Sequence, residues 1–223
     1  MRVLRSTPYG DLVAEESAAD GNCFYHSYLQ CTQAETFAQS NRRESVLRLK
    51  RYVAERITPD MIYSLNDPAH FDRLRDRIDE FVRSRGLRPV EFMDSDFSIR
   101  GYLLALEKEH ASLLKEPEFV AHVHELIQHY GSGIRERIER DGVWADDTIL
   151  PLFCRIMGVD ITFISSSLEP VQLALPTPSD HHIMMLHSGS HFEPLGVRSG
   201  GKVFHVLTGS SVEKIILFLK DKR

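Results

Sequence analysis

Along this 223-residue chain the spacing of the apolar residues changes once, at Trp144, and that change limits the folds open to it. From 58 to 142 apolar side chains recur every three or four positions, the spacing of a helix face. Phe71, Leu74, Ile78, Phe81 and Val82 mark one helix, which Gly86 ends. A second covers 98–114, ahead of Pro117, and a third runs from there to Tyr130, where Gly131 stops it. After Trp144 the apolar runs are short and rich in β-branched residues. Residues 149–157 form a helix closed by Gly158, with Pro151 tolerated in its first turn. Strands follow at 159–164, 171–175, 183–186 and 192–195, and 212–219 reads as an amphipathic helix or a strand, the helix being favoured. The expected class is α+β: a small, mostly antiparallel sheet flanked by helices. Residues 58–142 are a helical insertion within a single domain spanning 1–223.

The N-terminal part supplies the remaining elements. A short apolar stretch at 11–14 leads into an acidic, small-residue loop that ends at Asp20. A helix begins at Cys23, with Phe24, Ser27, Tyr28 and Cys31 on one face. Asn41 with Glu44 three residues on is a capping box for a second helix, whose buried stripe is Val46, Leu49, Val53 and Ile57. Thr58-Pro59 is a third helix start.

Charge and cysteine usage exclude several functions. Lys and Arg number 27 against 32 Asp and Glu, a net −5, whereas a nucleic-acid face needs a positive excess. The basic run from Arg42 to Arg56 reads as a solvated helix face. No apolar run approaches the ~18 residues of a membrane span. Three cysteines without framework spacing suit a reduced, cytoplasmic compartment. A monomer is expected.

Chemistry concentrates in two places. In Asp20-Gly21-Asn22-Cys23-Phe24-Tyr25, Gly and Asn favour a tight loop that delivers a cysteine to a helix N-terminus. Unpaired N–H groups there stabilise a thiolate and can bind an oxyanion. A free cysteine is more often a small core residue, and Cys31 and Cys154 keep that assignment. A cysteine nucleophile needs an imidazole base. His191 opens a strand after the turn His187-Ser-Gly-Ser, and Glu193, two positions on, shares its strand face. His181, His182, His187 and His191 crowd one stretch, but the flanks are strand-like and Gly189 interrupts, so no metal site is expected. Nor is a cofactor.

Asp20-Gly-Asn-Cys-Phe-Tyr, Trp144-Ala-Asp-Asp with the helix and strand after it, and His191-Phe-Glu193 together resemble the ovarian tumour (OTU) family of cysteine proteases. They occur in the family's order and bracket residues 11–195. The resemblance implies a papain-like fold and hydrolysis of the isopeptide bond after ubiquitin's C-terminal glycine, with ubiquitin or polyubiquitin as partner. It implies Cys23 as nucleophile, His191 as general base and Glu193 as orienting acid, with Asp20 in the catalytic set. The oxyanion hole falls to backbone donors of Asp20, Gly21 and Cys23. Glu193 stands where the family usually carries Asp or Asn, so Asp11 and Glu15 are alternative orienting acids. His26 stands where many members have Arg. The insertion 58–142 is the expected ubiquitin-gripping arm. A catalytically weak ubiquitin-binding module and a thiol protease for another ubiquitin-like modifier are the competing functions.

Overall fold

The computed structural model describes residues 1–92, 97–172 and 180–221. They fall into two compact units, one of residues 1–54 and 138–223, the other of residues 55–137. The first is built on a mixed sheet. Its strands are β1 (Arg2–Thr7), β2 (Gly10–Ala14), β3 (Asp160–Ser165), β4 (Pro170–Gln172), β5 (His182–Ser188), β6 (His191–Ser199), β7 (Lys202–Phe204) and β8 (Val206–Leu207). The order is β1-β2-β6-β5-β3-β4, with β7 on β6 and β8 on β5. Each of these pairings is antiparallel except β3 with β5, where Ile161 stands opposite Ile183.

Helices cover both faces. On one lie α1 (Cys23–Gln39) and α7 (Ile149–Met157). Phe24 of α1 meets Phe153 of α7 and Phe192 of β6 edge-on, at 4.9 and 5.7 Å between ring centres. On the other face α8 (Gly209–Asp221) buries Val212, Ile215 and Leu219 against Leu12, Met184, Leu186 and Leu195. The alternation along β6 follows: Leu195 and Val197 point to α8, and Phe192 points to α1. α2 (Arg42–Glu55) starts at the expected cap, with the Glu44 N–H donating to Asn41 Oδ1 at 3.3 Å, while the Glu44 carboxylate accepts from Arg48.

The second unit is helical: α3 (Pro59–Tyr63), α4 (Pro68–Ser84), α5 (Ile99–His110) and most of α6 (Pro117–Glu139). Phe71, Leu74, Ile78 and Val82 are buried, as their spacing requires. The Tyr102 hydroxyl donates to the buried Asp79 carboxylate. The helix expected to stop at Gly131 continues through Gly131 and Gly133 to Glu139. A glycine inside a helix costs only about 1 kcal/mol against alanine. The buried stripe Phe119, Val123, Ile127 and Ile134 continues across it.

β1 is a further departure from the sequence reading. Arg-Val-Leu-Arg-Ser-Thr is an exposed edge strand, so it carries no apolar alternation to read. β5 and β6 extend beyond the apolar cores 183–186 and 192–195 because their polar ends pair with each other, Ser188 opposite His191. Of the strand expected at 171–175, residues 173–175 lie outside the described residues. Among the described residues no helix is long and apolar enough to cross a membrane.

Candidate active site

Cys23 is the first residue of α1, and the turn before it is held from several sides. Gly21 has φ +77, and a Cβ there would stand 2.1 Å from the Gly142 carbonyl oxygen. Only glycine allows the two loops to approach so closely. The Asn22 N–H donates to Asp20 Oδ1 at 3.0 Å, and the His26 N–H to the Asn22 carbonyl at 3.0 Å. Asp20 Oδ2 lies 3.0 Å from His26 Nε2. Burial raises the Asp20 carboxyl, but the hydrogen bonds from His26 and the Asn22 N–H outweigh it and hold the group below the usual carboxylate range.

The thiol itself is 3% exposed and donates to the Ser190 carbonyl at 3.8 Å. Cys23 and the histidine turn thus meet at Ser190, the residue before His191 and 167 positions from the cysteine. The Ser27 hydroxyl bonds the Phe192 carbonyl at 2.9 Å, fastening α1 to the same strand. Burial pushes the Cys23 thiol above its ordinary value, aided by Asp20, against the N–H groups of Phe192, Phe24 and Cys23, which pull it down. The helix N-terminus therefore acts in the expected direction and is outweighed. In this arrangement burial opposes the thiolate that the helix end alone suggested.

His191 and Glu193 share a face, as their spacing requires. With Arg2, Leu4, Leu186 and Ser188 they line a cavity of about 400 Å³. The Glu193 carboxylate is held by Arg2 at 2.8 Å. Among the described residues no hydrogen bond joins His191 to Cys23 or to Glu193. The alternative acids are engaged elsewhere: Asp11 bonds Arg198 and Ser6, both at 2.7 Å, and Glu15 lies 3.6 Å from His205. Of the expected oxyanion donors, the Asp20 N–H is drawn to its own carboxylate. Gly21 forms the turn, and the Cys23 N–H, at the helix start, is turned to its own thiol.

The turn's other side holds a second cavity, of about 430 Å³, lined by Trp144, Asp147, Phe163, His187, Ser190 and Phe192 among others. Trp144, 46% exposed, forms its rim. Asp146 starts α7, accepting the Thr148 and Ile149 N–H groups at 3.1 Å each. His187 stacks on Phe192 at 4.6 Å. The cysteines read as core residues are core: burial drives Cys31 far above its ordinary range and Cys154 up to about 12.

One component escaped the sequence reading. Lys50 of α2 is 0% exposed and donates to Asn22 Oδ1 at 2.8 Å and to the Arg140 and Val143 carbonyls at 2.8 and 3.1 Å. The signal available was a lysine beside Leu49 and Val53, one step off the buried stripe. Nothing in the spacing shows that it turns inward.

No protein-family model matches the chain, and no curated relative matches it. Solved structures do. They are OTU domains. One, an OTU domain in complex with ubiquitin, is 14% identical and covers 99% of this chain and 93% of its own, at a TM-score of 0.44. The Hazara virus OTU bound to ubiquitin is 17% identical, with coverages of 84% and 82% and a TM-score of 0.37. An OTU deubiquitinase from Wolbachia pipientis wMel is 17% identical, with coverages of 94% and 99% and a TM-score of 0.34.

Proposed function

We propose that this protein is a thiol-dependent deubiquitinase that cleaves the isopeptide bond after ubiquitin's C-terminal glycine. The observation that carries the reading is the Cys23 thiol at the start of α1, in contact with the residue preceding His191. The motif resemblance supplies the substrate. The resting thiol donates to a carbonyl, so the first step exchanges that partner for the His191 imidazole. His191 takes the thiol proton and the thiolate attacks the glycine carbonyl. The oxyanion is bound by N–H groups at the start of α1, Cys23 first among them. Collapse expels the lysine amine, which receives the proton from His191. The same imidazole then deprotonates the water that hydrolyses the thioester. Glu193 is the proposed orienting group for His191, and in the resting arrangement it is paired with Arg2.

Residues 58–142 are proposed as the ubiquitin-docking element. Cleaving a folded modifier calls for contact on the order of 800 Å² per partner, more than a cysteine and a histidine offer. Leu104 of α5 and Val120 of α6 are large apolar side chains left exposed, at 55% and 52%.

The test is covalent capture by a ubiquitin probe carrying a C-terminal electrophile, followed by diubiquitin cleavage. Wild type should be captured at Cys23 and Cys23→Ala should cleave nothing while still binding ubiquitin. Retained cleavage by Cys23→Ala, or no capture of wild type, would sink the assignment. Leu104→Asp with Val120→Asp should raise KM and leave kcat in place.

A further inference from the structure

A fully buried lysine is an expensive way to stabilise a core, since an apolar residue of similar volume packs there without desolvating a charge. What an ammonium adds is three directed donors. In Lys50 each has an acceptor: Asn22 Oδ1, the Arg140 carbonyl and the Val143 carbonyl. Asn22 Oδ1 also accepts the Gly142 N–H at 3.2 Å, and Asn22 Nδ2 donates to Asp141 Oδ1 at 2.9 Å. Arg43 holds the other oxygen of Asp141 at 2.6 Å. All three acceptors of Lys50 lie on the two loops that Gly21 lets approach.

The consequence falls on the helix end. Asn22 is the N-cap residue of α1, where an asparagine side chain ordinarily accepts a first-turn N–H. Here it makes no such bond. Its oxygen is turned to Lys50 and Gly142 instead. We propose that Lys50 is a positioning residue for the nucleophile: it draws the Asn22 amide off the start of α1, fixing the Asp20–Cys23 loop and leaving the first-turn N–H groups to the thiol and the oxyanion rather than to a side-chain cap. The inference rests on Cys23 as the nucleophile of the proposed reaction. It adds a residue to which no chemistry has been given.

The test uses the full chain and the variant Lys50→Met, with Asn22→Ala as the second variant should the first fail to fold. Asn22→Ala leaves both carbonyl contacts of Lys50 in place and removes its link to Asn22 together with the Asn22 bonds to Gly142 and Asp141. Two measurements apply to protein shown folded by circular dichroism. Amide hydrogen exchange should quicken at residues 20–24 and 140–143 and stay unchanged in the β5–β6 hairpin. With a fluorogenic ubiquitin substrate, kcat should fall about 10–100-fold with KM within about twofold, the mark of a misplaced reacting group. In the double variant the loss should not exceed that of the worse single one. Wild-type exchange at both loops, or an unchanged kcat, overturns the proposal. An inactive wild type would instead overturn the deubiquitinase reading, and the exchange measurement would still decide whether Lys50 fixes the loop.

Discussion

The loop before Cys23 and the turn before His191 face each other and are built on opposite terms. Asp20–Cys23 is fixed from three directions, by His26, by the Asn22–Lys50–Asp141 set and by the backbone of Gly142. The turn Ser188–His191 has Gly189 at φ +62, with nothing within 4 Å of where its Cβ would stand. Its contact with the opposite loop is the Ser190 carbonyl and the thiol. On the proposed mechanism, a Cys23 loop held from three directions stays in place, and the His191 imidazole does the moving. The contrast gives the proposed nucleophile preorganisation and the proposed base room to adjust.

A pair of alanine substitutions should break that contrast most visibly. Gly21→Ala forces a left-handed backbone angle on alanine and drives a Cβ into the Gly142 carbonyl. It should cost about 2–4 kcal/mol in urea unfolding and abolish most turnover. Gly189→Ala carries the backbone penalty alone, about 1 kcal/mol, with turnover largely kept. Equal costs for the two would mean that the turn is held as tightly as the loop.

A smaller effect belongs to Glu193. Glu193→Gln should lower kcat by about 10–100-fold, less than His191→Ala, because an orienting acid transfers no proton. Full activity in Glu193→Ala would return the role to Asp11 or Glu15, and both are already engaged, with Arg198 and His205.

The smallest effect is one of pH. Burial pulls the Lys50 ammonium from 10.5 down to about 8, against the opposing pull of Asp141 and Asp20. Between those values the unfolded chain holds a proton that the folded chain has released. Stability therefore rises with pH across that window, and below it the cost of the buried charge is present in full. Urea midpoints taken from neutral pH to 10.5 should climb more for wild type than for Lys50→Met. Parallel curves would place the titration elsewhere.

Legibility in the sequence followed burial. α4, α7 and the cores of β3, β5 and β6 were readable because one face or both faces are apolar. β1, β7 and β8 were not, being exposed or three residues and fewer. At the site, the loop and the His191–Glu193 alternation were readable from local chemistry. The Arg2–Glu193 pair joins residues 191 apart in sequence, and the Lys50–Asn22 bond residues 28 apart. Such pairings depend on which strands become neighbours, and no local spacing encodes that.

The order β1-β2-β6-β5 has a bearing on when the protein can act during its own synthesis. Ala14, nine residues ahead of the cysteine, pairs with Leu195, and the carbonyl that receives the thiol belongs to Ser190. A ribosome that has made α1 has a cysteine with no histidine hairpin and, of the two neighbours of β2, only β1. Such long-range pairings form late and slowly. On the proposed assignment, Cys23 is therefore made well before the hairpin that carries His191.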